Sequence, residues 1–150
     1  MAGGDFQFNQ VKGTIRAQAE LAGANDAVIV VPLEAAGLEA DATLKDYDDL
    51  TALLAGTSNE QTTMSRKTVT AFTITVDDTN DWVTVTLTAP FTWTTPTGNP
   101  IGKLLFCYDA DTTTGTDANI VPMLAYSFDV TPDGIDLQIN AHANGLIRLT

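Results

Sequence analysis

The chain holds one cysteine, Cys107, and one histidine, His142, in 150 residues. A lone cysteine cannot close an internal disulfide, so nothing in the sequence calls for an oxidising compartment. Cys107 lies in the apolar run Leu104-Leu105-Phe106-Cys107-Tyr108 and reads as a small core residue rather than a thiolate nucleophile. A Ser–His–Asp triad has only His142 to draw on, and no serine stands in a Gly-x-Ser-x-Gly elbow. Zinc asks for three or four His, Cys or carboxylate ligands, which one distant His–Cys pair does not supply. Neither Gly-x-x-x-x-Gly-Lys nor Gly-x-Gly-x-x-Gly occurs, so no phosphate-cradling loop is expected. These shortages point to a protein that is not an enzyme and carries no cofactor and no metal.

Basic residues are scarce as well. Seven Lys and Arg face 19 Asp and Glu, a net charge of −12. Nucleic-acid binding neutralises phosphates with cations, so this field argues against a DNA or RNA partner. It favours solubility and discourages random self-association. The longest apolar run, Ala27 to Leu33, has strand length and falls well short of a bilayer span, so no membrane partner is expected. Met1-Ala2-Gly3-Gly4-Asp5 has neither a basic nor an apolar region of the kind a secretory signal needs.

What the chain does have is hydrophobic content, 44%, and threonine, concentrated from Thr62 onward. Threonine is β-branched and carries a hydroxyl, so its alternation with Val or Ile marks a half-buried sheet. Trp82 to Thr88 alternates in this way. It pairs across the turn Asp77-Asp78-Thr79-Asn80-Asp81 with a strand from Lys67 to Val76, bulged near Thr70. Lys12 to Glu20 and Ala27 to Leu33 read as strands around Gly23-Ala24-Asn25-Asp26. The second is continuously apolar, hence covered on both faces, with Pro32 marking an edge or an end of pairing. Phe91 to Trp93 is a short strand, and Ile101 to Asp109 a central one. Ile120 to Asp129 is a strand interrupted at Pro122. Pro132-Asp133-Gly134 and Asn144-Gly145 are turns before two closing strands. One helix is predicted, capped by Asp46, with Asp48 and Asp49 in its first turn, a Leu50, Leu53 and Leu54 stripe, and Gly56 at its end. Residues 34–45 read as an irregular connection.

The predicted fold is therefore all-β, an antiparallel β-sandwich or barrel with one short α-helix. A single domain spans 11–150, preceded by a flexible N-terminal arm, 1–10. The arm bears Phe6 and Phe8, whose rings either reach a partner or fold back onto their own core.

Two further clusters need weighing. Asp109-Ala110-Asp111 begins like a calcium loop, but Thr114 stands where a Gly is needed and Ile120 where a bidentate Glu belongs. Acidic turns account for the same residues. Trp82 and Trp93 would suggest sugar binding if exposed, yet each lies in an alternating strand where a core position is the commoner outcome.

Several stretches resemble small virion structural proteins of tailed bacteriophages, of the head decoration or cement type. They are Leu50-Thr51-Ala52-Leu53-Leu54-Ala55-Gly56, Ser65-Arg66-Lys67-Thr68, Val76-Asp77-Asp78-Thr79-Asn80-Asp81, Gly102-Lys103-Leu104-Leu105-Phe106-Cys107-Tyr108-Asp109 and Thr116-Asp117-Ala118-Asn119-Ile120-Val121-Pro122. Together they cover roughly residues 45–130 and carry no catalytic signature. The resemblance implies a protein on the outer capsid surface, assembled in the host cytoplasm, that binds the major capsid protein and stabilises contacts between its subunits. It also implies a homo-oligomer, a trimer in many such proteins, with Phe6 and Phe8 as capsid-binding anchors. The alternatives are a phage tail or fibre component, or a carbohydrate-binding module. Removing residues 1–10 is expected to leave the domain folded and to weaken particle binding.

Overall fold

In the computed structural model, which describes residues 4–11, 13–140, 142 and 145–149, the Thr-rich alternation folds as antiparallel sheet. In chain order the elements are β1 (Phe6–Gln7), α1 (Ile15–Ala19), β2 (Ala27–Glu34), α2 (Asp41–Leu44), α3 (Leu50–Leu54), β3 (Lys67–Val69), β4 (Phe72–Asp77) and β5 (Trp82–Leu87). They continue with β6 (Phe91–Trp93), β7 (Ile101–Asp109), β8 (Ile120–Val130), β9 (Leu137–Ile139) and β10 (Ile147–Leu149). A five-stranded sheet runs β1-β8-β7-β2-β3, a three-stranded sheet β10-β5-β4, and β6 pairs with β9. The architecture is all-β and sandwich-like.

The two longest apolar strands sit where their composition sends them. β7 is the central strand and β2 its neighbour, and Ala27 to Leu33 are all buried. Strands covered on both faces lose the in–out alternation and read as continuous apolar runs. β3 pairs with β2 only from Val28 to Val30. Beyond that the Pro32 carbonyl accepts the Gln61 N–H, so no ladder bond is lost where proline has no donor.

The sandwich closes over one face of the large sheet. Val28, Phe106 and Leu124 meet Phe72 and Val85 of the three-stranded sheet, and Ile15 and Ala19 of α1 fill the end of the same core. Beside them Trp93, Phe91, Phe106 and Tyr126 form a chain of edge-to-face rings, with centroids 5.4, 6.4 and 5.5 Å apart. Rings in this geometry gain from edge-to-face attraction beyond their buried area. They tie the β6–β9 pair to the large sheet. α3 packs on β8, and Leu44, Leu50 and Leu53 are fully buried.

Four local expectations are corrected. The stretch expected as a strand from Lys12 to Glu20 contains α1 instead, with Lys12 itself outside the described residues. Ile15 and Ala19 are four apart, the spacing of one helix face, and the intervening Arg, Ala and Gln are good helix formers. Residues 34–45 are not wholly irregular, because α2 forms there; three helices thus occur among the described residues, not one. The cap of α3 is Asp49, whose carboxylate accepts the Ala52 N–H at 2.7 Å, while Asp46 accepts from the Asn9 amide at 2.6 Å. The expected strand from Lys67 to Val76 is two strands in two sheets. Val69 and Phe72 both turn inward although three residues apart, so the chain turns a corner between the sheets at Thr70-Ala71 rather than bulging within one.

The β4–β5 hairpin forms as expected, from Phe72↔Leu87 to Asp77↔Trp82. Its inward register is Phe72, Ile74 and Val76, but Val76 is 52% exposed because the hairpin tip overhangs the core. β8 runs through Pro122, and a register shift opposite Phe106 and Cys107 absorbs the proline. The turn at Gly145 has Asn144 outside the described residues.

Candidate functional site

Phe6 and Phe8 lie on the domain. Phe6 faces Ala125 and Gln7 faces Leu124 across β1 and β8, and the Phe8 N–H donates to the Met123 carbonyl at 3.0 Å. Phe8 is 0% exposed, and Phe6 is half-buried with its ring 5.4 Å from that of Phe8. Of the two rings, only Phe6 has surface left to offer a partner. The segment 4–8 is therefore docked on its own sheet through β1, Asn9–Val11 continue as a turn of 3-10 helix, and residues 1–3 of the expected arm fall outside the described residues. Alternation decided the outcome: two aromatics two residues apart share one face of an extended segment, and the open edge of β8 gives that face a core to enter.

Lys103 holds this segment from below. It is fully buried, with Nζ 3.2 Å from the Asp41 carboxylate, 3.0 Å from the Gly4 carbonyl and 5.0 Å from the Phe6 ring centroid. A buried ammonium persists only with such partners. One side chain thus joins β7, α2 and the N-terminal strand. In the sequence Lys103 was only a polar letter inside an apolar strand.

The residues weighed for chemistry are committed to structure. Burial raises the Cys107 thiol pKa well above its ordinary value, which works against a thiolate. His142 is exposed. The acidic loop is divided among separate tasks. Asp109 accepts the Asp111 N–H, Asp111 accepts the Thr113 N–H, and Asp117 is clamped by Arg66. Arg66 takes Asp117 with two nitrogens, at 2.6 and 2.9 Å, and Glu60 with two contacts at 2.8 and 2.7 Å. Its hydrogen bonds to Asp117 and then Glu60 raise the guanidinium pKa, and the same bond lowers that of Asp117. Among the described residues no three His, Cys, Asp or Glu side chains stand as a metal site.

Trp93 is buried, and its indole N–H donates to the Ser65 carbonyl at 2.9 Å. Trp82 is half-buried, and the Arg148 guanidinium lies 3.9 Å from its ring centroid. Neither ring is an open platform for a sugar.

No family model, no curated protein and no solved structure matches the chain.

What remains on the surface is an open side of the sandwich. β1 ends the large sheet and β10 ends the three-stranded one, and a cleft of about 610 Å³ lies between them. Phe6, Gln7, Leu124, Ile147, Lys45 and Arg148 line it. No helix among the described residues is long and apolar enough to cross a membrane.

Proposed function

We propose that this chain is a non-enzymatic decoration protein of a tailed-bacteriophage head, binding the outer face of the capsid and stabilising contacts between major capsid protein subunits. The observation that carries the reading is the way the chain spends its ionisable groups. Arg66 ties Glu60 to Asp117, Lys103 ties Asp41 to the N-terminal strand, and Arg16 pairs with Glu20. The first two tie separate segments of the chain together and the third lies along α1, and the three do not converge on a cleft. The product is a braced β-domain with an acidic exterior, which suits a part that acts by binding energy. The sequence resemblance over residues 45–130 points the same way. Each bound copy that buries surface across two capsid subunits raises the free energy needed to separate them. Assembly as a homo-oligomer, a trimer in the simplest case, would multiply weak contacts.

The experiment is reconstitution. Purified protein is added to heads that lack it, and the heads are pelleted and then heated while DNA release is followed. Saturable binding with release at a higher temperature is the expected outcome. Protein that stays in the supernatant, with an unchanged release temperature, overturns the proposal.

A further inference from the structure

We infer that the free edge of β4 pairs with β4 of a second copy of this chain, antiparallel and in one register, to give a two-fold dimer. The inference stands apart from the capsid reading and does not rest on it.

β4 ends the three-stranded sheet and runs from Phe72 to Asp77, the longest edge strand among the described residues. The Thr88 N–H donates to the Ala71 carbonyl, one step beyond the Phe72↔Leu87 pair. Bonded and non-bonded pairs alternate along an antiparallel ladder. The pairs bonded to β5 are therefore Thr73 with Thr86 and Thr75 with Thr84. The N–H and C=O groups of Phe72, Ile74 and Val76 face the other way. Among the described residues no hydrogen bond engages them and no further strand lies beside them. The Phe72 side chain meets Ile15 and Ala19 of α1 inside the core. Natural edges are guarded by proline, lysine or a bulge. Phe72 to Val76 has none of these and alternates apolar residues with threonine, a composition that favours pairing.

The outward residues select the partner, because they are symmetric about Ile74. With Ile74 opposite its own copy, Phe72 meets Val76 and Val76 meets Phe72. Each of these pairs then exchanges both of its backbone hydrogen bonds, as an isologous contact requires. A shift by two residues leaves one of the three without its counterpart. The same register places like beside like. Val76, 52% exposed, comes to lie beside Phe72 of the second copy. On the outer face exposed Thr73 meets exposed Thr75, a favourable cross-strand pair. The obstacle is like charge, −12 on each copy. Asp77 is the one charged residue of β4, and its carboxylate is occupied within its own turn, accepting the Thr79 and Asn80 N–H groups. In this register the two Asp77 residues lie about 20 Å apart along the strands, beyond the screening length of about 8 Å at physiological ionic strength. One edge strand covers less than the roughly 800 Å² per partner of a standard interface, so the pair forms reversibly.

Sedimentation equilibrium of the full chain over a dilution series reads the dimer directly. The average mass is expected to move between 15.9 kDa and twice that value. Val76→Lys sets an ammonium beside Phe72 of the second copy and should weaken dimerisation by about tenfold or more. It does so while lowering the net negative charge, so a loss of pairing has no origin in overall repulsion. Cysteine cross-linking reads the register. Thr73→Cys chains mixed with Thr75→Cys chains, under copper-catalysed oxidation, are expected to form a disulfide-linked dimer faster than either variant alone. Directly opposed residues lie within disulfide reach, whereas Thr73 and its own copy are diagonal neighbours about 7–8 Å apart. Cys107 is buried and common to all samples. Thermal melts check that each variant is folded, and the cysteine mixture decides the matter if Val76→Lys is not. A monomer at every concentration, a trimer, undiminished dimerisation of folded Val76→Lys, or cross-linking no faster in the mixture than in the single variants would each overturn the inference.

Discussion

Arg66 and Lys103 show how an acidic chain uses the few cations it has. Arg66 presents a planar fork to two carboxylates, and its aliphatic stem is mostly covered, leaving the side chain 28% exposed. Arg66→Ala leaves Glu60 and Asp117 facing one another without a counter-charge. The expected loss is about 2 kcal/mol, the scale of charge-assisted hydrogen bonds, read from chemical denaturation. Arg66→Lys should recover part of it, since a point charge cannot grip both carboxylates bidentately. The pair also has a pH signature. The Asp117 pKa is lowered in the folded state, chiefly by its bond to Arg66. The stabilisation is therefore complete above the ordinary aspartate range near about pH 4 and fades as pH falls through the lower folded value. Arg66→Ala should flatten this acid limb of the stability profile, and an unchanged limb would count against the clamp. At Lys103, truncation to alanine leaves Asp41 unpaired and a void in its place, for an expected loss of about 3 kcal/mol. Lys103→Met fills the same space without a charge and should cost less, because Asp41 is 23% exposed and can turn to water.

At the scale of elements, the N-terminal strand makes the sharpest prediction. Phe8 is fully buried, and Val11 and Ile15 follow it into the core. Phe8→Ala is expected to destabilise the domain by about 3 kcal/mol or more. Removal of residues 1–10 should lower the melting temperature as well, in contrast to the folded, intact domain expected from the sequence. Hydrogen exchange gives an independent check: the Phe8 amide, bonded to Met123, should be protected, and exchange as fast as in a free peptide would contradict docking. Patterns confined to one strand were legible in the sequence. The β4–β5 hairpin, the central place of Ile101 to Asp109 and the apolar β2 all follow from period-two alternation or its absence. What escaped was set by partners far along the chain. The corner at Thr70-Ala71 looks like a bulge until the second sheet is in place. The role of Gln61 is invisible locally: it is buried, donates to the carbonyls of Thr97 and Asn99, each at 3.2 Å, and accepts the Thr63 and Met64 N–H groups. Gly98 with φ +117 lets that side chain approach, since a Cβ there would collide with Gln61 Nε2. Phe6 and Phe8 were legible as an apolar pair in an extended segment, but their destination depended on the open edge of β8.

For the whole molecule, the seams matter more than any single cluster. The large sheet is fully covered in its middle, at β2 and β7, and thins toward its ends, where β1 contributes two residues and β3 three. Short edge strands limit indiscriminate sheet-to-sheet pairing, and a strongly acidic exterior limits it further. The central proposal, that the chain decorates a phage head, is tested most directly by cryo-electron microscopy of intact virions produced from the genome that encodes the chain. The account predicts density for this β-domain at regular lattice positions on the outer capsid surface, bridging neighbouring capsid subunits. Density confined to the tail, or particles without the protein, would contradict it.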